Sequence, residues 1–302
     1  MTPKERFHGV GPALVTPMDA AGNPDLEAFT RHVERMLEGG VDFLVPCGTT
    51  GESATLTPAE QRAVIERAVQ VAAGAVPVLA GAGSNSTTTA VALAQAARDA
   101  GAEGVLVVTP YYNKPSPDGL VLHYKAVSRV GLPVILYNVP GRTGANVPPA
   151  VILRVAEETR AGDVPGVVGV KESSGDLTPL MELVAKAPGG FTVLSGDDHL
   201  ALAVAACGGH GLISVVANED PGGTAAIDQL VCDGKLDEAR REHYRLLPLM
   251  HANFLESNPG PVKAALSIMG HMDDHLRAPL APVRPETRAA LRKALEHAEL
   301  LG

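Results

Sequence analysis

Short runs of apolar, mostly β-branched residues alternate with alanine-rich stretches of helical periodicity along most of the chain. The runs are apolar throughout, which is typical of strands buried on both faces of a parallel sheet. Eight such strands are predicted, at residues 11–15, 42–46, 76–80, 104–108, 133–137, 166–171, 191–195 and 211–215. Eight strands in regular alternation with helices favour an α/β fold, a closed (β/α)8 TIM barrel, over its structural rival, an open doubly wound sheet.

The strand pattern ends at about residue 225. Beyond it, residues 237–255, 261–269 and 286–300 have helical patterns separated by proline and glycine. We therefore expect a barrel over residues 1–225 and a C-terminal helical extension over residues 226–302.

The composition excludes several classes of protein. Of 302 residues, 45% are hydrophobic and 20% charged, so the chain is not disordered, and its net charge of −9 makes nucleic acid an unfavourable partner. There is no tryptophan, and five phenylalanines and five tyrosines make up the aromatic residues. The core must therefore consist of small aliphatic side chains, and each tyrosine needs a reason to be present.

Cysteine usage and hydropathy bear on the compartment. The three cysteines are widely separated and form no C-x-x-C pair, which argues against a disulfide framework or a thiolate metal site and fits a reducing environment. Residues 1–9 have no apolar core of a secretory signal, and the longest low-charge stretch, 71–83, is too short and too broken to span a membrane. We expect a cytoplasmic protein with no membrane association.

In a barrel of this kind the reactive groups lie at the carboxyl ends of the strands. The second predicted strand ends in Gly48, Thr49, Thr50, Gly51 and Glu52. The two threonine hydroxyls and the backbone N–H groups, which the flexible glycines allow to point inward, form a nest that suits a carboxylate. The alternative is an ordinary turn with a helix cap.

Three of the five tyrosines also stand at strand ends: Tyr111 and Tyr112 after the fourth strand and Tyr137 at the end of the fifth. A single such tyrosine is usually a packing residue with a satisfied hydroxyl. Three of them in a chain so poor in aromatic residues favour a functional role.

Lys171 ends the sixth apolar strand and is the most informative residue of the sequence. A charged amine is costly to desolvate, and a neutral amine is the nucleophile that forms a Schiff base with a carbonyl. The alternatives are a lysine that extends out of the barrel rim or one that pairs with Glu172. The other lysines fall in predicted loops, helices or the terminal tail, so none competes for this role.

Other motifs are weaker. Residues 81–85 are glycine-rich but lack both the dinucleotide fingerprint and the P-loop lysine, and residues 195–199 suggest capping aspartates more than a metal site. The loops after strands seven and eight contain no lysine or arginine, which disfavours a phosphorylated substrate. No histidine pair has metal-ligand spacing, so neither a metal nor another cofactor is expected.

Taken together, these motifs resemble the 4-hydroxy-tetrahydrodipicolinate synthase (dihydrodipicolinate synthase) family of pyruvate-dependent class I aldolases, which also include N-acetylneuraminate lyase. The resemblance covers nearly the whole chain in order. Its motifs are GTTGE at 48–52, YY at 111–112, YNVPGRT at 137–143, GVKESSGD at 169–176, SGDD at 195–198, GLISV at 211–215 and NPGPVK at 258–263.

The resemblance implies specific roles. Lys171 would form an imine with pyruvate, Thr49 and Thr50 would bind the pyruvate carboxylate, and Tyr137 would act as general acid and base. A relay would run from Tyr137 through Thr49 to Tyr112, which reaches into the neighbouring subunit of a homo-oligomer, usually a homotetramer. The enamine would then attack the aldehyde of L-aspartate 4-semialdehyde, in the lysine (diaminopimelate) pathway.

Further residues follow from the same resemblance. Backbone groups at Gly196 and Ile213 would line the site. The guanidinium of Arg142 would form two hydrogen bonds with the carboxylate of L-aspartate 4-semialdehyde. Lyases that act on sialic acid lack this arginine, so Arg142 favours the synthase over the lyase within the family. The alternative is that Arg142 is only a surface charge.

A possible effector pocket departs from the family pattern. Its residues Ser53, Ala54, Asn85 and Tyr111 match, but Thr89 stands where an acid is expected and Gln61 where a histidine is common. Lysine inhibition is therefore expected to be weak or absent. The alternatives for the whole protein are a pyruvate-dependent aldolase or dehydratase acting on a sugar acid, and a non-catalytic protein that keeps the pyruvate pocket.

Overall fold

Seven strands in the described part of the chain form one parallel sheet. The computed structural model describes residues 6–160 and 164–301, so the expectation about residues 1–9 falls mostly outside it. The strands are β1 (Gly9–Pro12), β2 (Leu79–Gly81), β3 (Gly104–Val108), β4 (Val134–Asn138), β5 (Val167–Glu172), β6 (Thr192–Ser195) and β7 (Gly211–Ser214). Their order in the sheet is β1-β7-β6-β5-β4-β3-β2, with every pair parallel.

The second predicted strand, at residues 42–46, closes this sheet into a ring. Val45 N–H donates to the Pro12 carbonyl (3.1 Å), and Leu79 N–H donates to the Leu44 carbonyl (2.8 Å), so the segment lies between β1 and β2. It makes two isolated bridges instead of a continuous ladder. Prolines at positions 12, 46 and 77 of these adjoining segments lack the N–H that a ladder requires. The predicted (β/α)8 barrel is thus confirmed and the open sheet excluded, with the second strand reduced to its bridges.

The helices surround the barrel and form the extension. They are α1 (Leu26–Glu38), α2 (Pro58–Ala72), α3 (Thr87–Asp99), α4 (Pro117–Ser128), α5 (Pro140–Thr143), α6 (Pro149–Thr159), α7 (Leu177–Lys186), α8 (Ala201–Ala206), α9 (Pro221–Cys232), α10 (Leu236–Ala252), α11 (Gly260–Ile268) and α12 (Pro285–His297). Helix α2 begins with a capping box, in which Thr57 and Glu60 bond reciprocally. The last three helices match the helical patterns at 237–255, 261–269 and 286–300, and the C-terminal helical region is present.

The interior of the barrel is filled mainly by aliphatic side chains. At its amino-terminal end the rings of Phe7 and Phe43 meet edge to face, with centroids 5.9 Å apart. At the opposite end the interior cluster finishes with Tyr137 and Val139. Two phenylalanine rings therefore fill the amino-terminal end of the barrel interior, and Tyr137 lies at the carboxyl end.

Helix length and hydropathy also bear on membrane insertion. Within residues 6–160 and 164–301, none of the helices combines the length and the apolar character needed to cross a bilayer.

Candidate active site

Lys171 lies near the carboxyl end of β5 with its side chain inside the barrel. The residue is 5% exposed, and its Nζ lies 4.5 Å from the centre of the Tyr137 ring on the neighbouring strand β4. Glu172 points the opposite way, as successive strand residues do, and accepts hydrogen bonds from Asn138 Nδ2 (2.9 Å) and Ser174 N–H (2.7 Å). Burial raises the pKa of Glu172, an effect that these hydrogen bonds oppose. Lys171 therefore neither extends out of the rim nor takes Glu172 as its partner.

A small cavity of about 70 Å³ surrounds the Lys171 amine. Six of the eight residues predicted to be catalytic or substrate-binding meet there: Lys171, Tyr137, Thr49, Thr50, Arg142 and Gly196. They come from the carboxyl ends of four barrel strands and the segments that follow them. The barrel thus brings together residues that are up to 147 positions apart (Thr49 to Gly196).

Gly196 has a steric reason to be glycine. A Cβ at this position would overlap the Ser173 hydroxyl and lie 2.6 Å from Lys171 Cε. Carbon atoms do not pack that closely, so any larger residue would displace the lysine side chain. Gly196 therefore sets the position of the amine.

The loop of residues 48–52 forms one wall of this cavity. Its backbone makes two turn hydrogen bonds, Gly51 N–H to the Gly48 carbonyl and Glu52 N–H to the Thr49 carbonyl, both 3.1 Å. Thr49 is half-buried, and Thr50 is buried with its Oγ1 accepting a hydrogen bond from Asn258 Nδ2 (2.9 Å). The loop is a turn, but it does not cap the next helix, because Thr57 does so.

Arg142 on the short helix α5 stands at the mouth of the cavity. The residue is exposed, and its Nη2 donates to the Asn258 carbonyl (3.3 Å). This contact directs the guanidinium over the cavity instead of into solvent. It is a surface charge that faces the site.

Two predicted residues lie elsewhere in the single chain. Tyr112 is 90% exposed, with a left-handed φ of 71°, and among the described residues it lines neither this cavity nor the larger one below. Ile213 is fully buried in the barrel interior, and Val215, two residues further along the same face, lines the cavity in the described structure.

The cavity also contains side chains that the motifs did not assign. Asn258 and the half-exposed Phe254 come from the C-terminal extension, and Ser173 and Asp197 follow β5 and β6. Burial raises the pKa of Asp197, whereas the charge of Lys171 lowers it. The motifs at 195–198 and 258–263 were the available signals, but a motif does not reveal which of its side chains faces inward.

A larger cavity of about 480 Å³ adjoins the first and shares Thr49, Val139, Arg142 and Asn258 with it. The predicted effector residues in its lining are Ser53, Ala54, Tyr111, Gln61 and Thr89. Asn85 lies beside it and accepts a hydrogen bond from Asn113 Nδ2 through its carbonyl (2.9 Å). Gln61 donates to the Ser53 carbonyl (2.9 Å), so its side-chain amide is already engaged.

A second lysine is also buried, and it lies on a helix, as the sequence predicted. Lys263 on α11 is 0% exposed and forms an ion pair with Glu52, with Nζ and Oε1 2.6 Å apart. Burial lowers the pKa of Lys263, whereas the Glu52 carboxylate raises it. Lys263 is engaged with Glu52, and neither residue lines the small cavity around Lys171, so Lys171 remains the candidate nucleophile.

The aspartates at residues 197–198 do not form a metal centre with their neighbours. Asp198 accepts hydrogen bonds from the N–H groups of Val215 and Val216 (both 3.1 Å) and from Ser214 Oγ (2.6 Å), so it caps the turn after β7. Across residues 6–160 and 164–301 there is no group of side chains arranged to hold a metal ion.

A buried amine beside a tyrosine at the carboxyl ends of barrel strands is the arrangement that a Schiff-base enzyme of the class I aldolase type requires. Residues 6–298 match the model of the dihydrodipicolinate synthetase family. The chain belongs to this family.

Individual relatives are similar to this chain over nearly its full length, in sequence and in structure. A protein of Syntrophotalea carbinolica named 4-hydroxy-tetrahydrodipicolinate synthase is 47% identical over 290 residues, which cover 96% of this chain and 97% of the relative. A solved structure described as the first monomeric dihydrodipicolinate synthase variant has a TM-score of 0.94, 42% identity and 99% coverage of both chains. The dihydrodipicolinate synthase of Acinetobacter baumannii in complex with pyruvate has a TM-score of 0.93 and 39% identity, covering 98% of this chain and 100% of its own.

Proposed function

We propose that the protein condenses pyruvate with L-aspartate 4-semialdehyde, the reaction of a 4-hydroxy-tetrahydrodipicolinate synthase. The observation that carries this proposal is the buried Lys171 amine, which lies against the Tyr137 ring in a cavity that Thr49 and Thr50 also line. Full-length relatives with this name support it.

In the first step Lys171 Nζ attacks the keto carbon of pyruvate, and the keto oxygen leaves as water. The iminium that results withdraws electrons, so a proton can leave the methyl group and an enamine forms. The loop hydroxyls and N–H groups at Thr49 and Thr50 hold the carboxylate, which places the keto carbon near the amine. No electron acceptor beyond the iminium nitrogen is needed for this step.

Tyr137 is the proposed general acid and base, because it is the hydroxyl-bearing side chain whose ring faces the Lys171 amine. Thr49 lines both cavities and can donate and accept a hydrogen bond at once, which suits the middle of a proton relay. Tyr112 is the proposed last member of this relay, after Tyr137 and Thr49. Backbone groups at Gly196 and Ile213 complete the proposed lining.

The second substrate has room in the larger cavity, which opens onto the first at Thr49, Val139, Arg142 and Asn258. Arg142 is proposed to bind its carboxylate. The enamine carbon then attacks the aldehyde carbon, and the substrate amine displaces Lys171 as the ring closes.

A homo-oligomer is part of the proposal. Tyr112 is too exposed in the single chain to serve its own site, and its strained backbone suits a contact made by another copy. We propose at least a dimer, and a homotetramer as the assembled form. Size-exclusion chromatography with light scattering tests this directly.

The effector pocket, the compartment and the domain division are also proposals. We propose that Ser53, Ala54, Asn85 and Tyr111 border a pocket that binds lysine weakly at best. The cysteines Cys47, Cys207 and Cys232 are free in the described structure, which supports a reducing compartment such as the cytoplasm. The proposed boundary between barrel and extension at residue 225 falls within α9.

Borohydride trapping tests the function most directly. The purified protein is incubated with pyruvate and borohydride, digested and mapped by mass spectrometry. We expect a reduced pyruvyl adduct on Lys171, and an adduct elsewhere or none would contradict the mechanism. L-aspartate 4-semialdehyde and N-acetylneuraminate are then offered as separate substrates. Turnover of the sugar acid alone would favour the lyase alternative. If neither compound is turned over, the result would favour a non-catalytic binding protein.

A further inference from the structure

The loop that carries Thr49 and Thr50 is fastened to the C-terminal extension by the Glu52–Lys263 ion pair. Both side chains are 0% exposed. Lys263 Nζ also donates to the Thr16 carbonyl (3.0 Å), and Glu52 Oε2 accepts a hydrogen bond from Arg277 N–H (3.1 Å). The pair thus joins four separate parts of the chain.

Glu52 holds its position in an unfavourable backbone conformation. Its φ is 56°, in the left-handed region that non-glycine residues rarely adopt, and Cys47 at the other end of the loop has the same φ. Such residues persist only where the surrounding contacts determine them. For Glu52 those contacts are the Lys263 amine and the Arg277 backbone.

Two more hydrogen bonds hold the middle of the same loop. Asn258 Nδ2 donates to Thr50 Oγ1 (2.9 Å), and Thr16 Oγ1 donates to the Gly51 carbonyl (2.8 Å). Thr16 therefore contacts both the loop and Lys263. The cavity-lining residues Thr49 and Thr50 lie between these attachments.

We propose that Glu52 and Lys263 are positioning residues that fix the Thr49–Thr50 loop for binding the carboxylate of pyruvate. This inference rests on the proposed function, because it takes pyruvate as the ligand of that loop. Breaking one partner of a buried ion pair leaves an uncompensated charge, so the loop would shift to solvate or release it. A shift of about 1 Å is enough to misplace a bound group.

The test uses the full-length enzyme with Glu52→Gln and Lys263→Met. In both variants we expect the pyruvate KM, and the pyruvate concentration for half-maximal borohydride trapping, to rise about tenfold. Trapping at saturating pyruvate should still reach the wild-type extent, because Lys171 is unchanged. The KM for the aldehyde should move by less than about threefold, since its proposed ligand Arg142 lies on α5 and donates to the Asn258 carbonyl, not to Glu52 or Lys263.

Arg245→Met is the matched control. Arg245 joins the extension to itself and to α9 through Glu242, Asp220 and the Ala298 carbonyl, away from the loop. We expect it to lower Tm while leaving the pyruvate KM within about twofold of wild type, as distant sites act independently.

The proposal is overturned if the folded variants lose Tm like the control but keep the wild-type pyruvate KM. Glu52→Gln preserves the shape of the side chain and removes its charge and one of its two acceptor oxygens, so it decides the question if Lys263→Met does not fold. A wild-type enzyme that borohydride does not trap with pyruvate would contradict the proposed function instead.

Discussion

Two loops at the same rim of the barrel contain strained residues, but only in one of them is the strained side chain buried against the rest of the described chain. In the loop of residues 48–52, left-handed Glu52 is fully buried against Lys263. In the loop after β3, Tyr112 has a φ of 71° and Lys114 a φ of 44°, yet the Tyr112 side chain is 90% exposed. The contacts of Glu52 explain its backbone strain within the chain, whereas the strain at the exposed Tyr112 fits the proposed contact with a second copy.

Replacing Tyr112 with phenylalanine should give the largest effect on this comparison. Loss of a hydroxyl in a proton relay should lower kcat about a thousandfold, because acid–base assistance contributes that much. Borohydride trapping at Lys171 should be affected far less if the relay serves mainly the later proton transfers. Steady-state kinetics and adduct mapping on the same preparation measure both.

Mixing two inactive variants shows whether Tyr112 acts between subunits. Tyr112→Phe and Lys171→Ala are dissociated, mixed in equal amounts and reassembled. About a quarter of wild-type activity should return, because half of the randomly formed dimers contain one intact site of two. Activity that stays at the mean of the separate variants would place Tyr112 outside any shared site.

Gly196→Ala should disrupt the side of the site that the chain completes by itself. Its methyl group would lie 2.6 Å from Lys171 Cε, so the amine must move. We expect kcat/KM to fall about a hundredfold and the trapping rate to fall with it, unlike the effect of Tyr112→Phe. An unchanged trapping rate would mean that Lys171 tolerates displacement.

Arg142→Ala should have a smaller and more selective effect. Removing a charged hydrogen-bond donor to the aldehyde carboxylate should raise the KM for L-aspartate 4-semialdehyde about thirtyfold. The pyruvate KM and the trapping yield should remain near wild type, as measured in parallel assays. A matched loss of trapping would show that Arg142 serves the first substrate instead.

Millimolar lysine should have the smallest effect, changing the rate by less than about twofold, because the ammonium group finds no free carboxylate in the larger cavity. Among the described residues that line it, Glu52 is the acidic one, and Lys263 already holds it. Thr89→Glu should increase lysine sensitivity in the same rate assay. Strong inhibition of the wild type would contradict the assignment of Thr89.

The sequence by itself determined the barrel and singled out Lys171 as the candidate nucleophile, because both depend on short-range patterns. Continuous apolar runs predict buried parallel strands, and a lysine at the end of such a run is conspicuous wherever the strand lies. Tyr137 and Thr49 followed from the ends of the strands, whereas Gly196 followed from the resemblance. For Tyr112 and Ile213 the sequence and the resemblance gave roles, but within the single chain the first is exposed and the second lies in the barrel interior.

The tertiary structure decided which distant residues complete each other. Glu52 and Lys263 are separated by 211 positions and Thr50 and Asn258 by 208, and no periodicity in the sequence links such pairs. The same holds for the closure of the sheet by residues 44–45, where prolines remove the usual ladder donors. Local patterns fix the direction of a side chain relative to its own strand or helix. Only the packing of the extension onto the barrel brings Lys263 to Glu52, because that contact forms only when the whole chain folds.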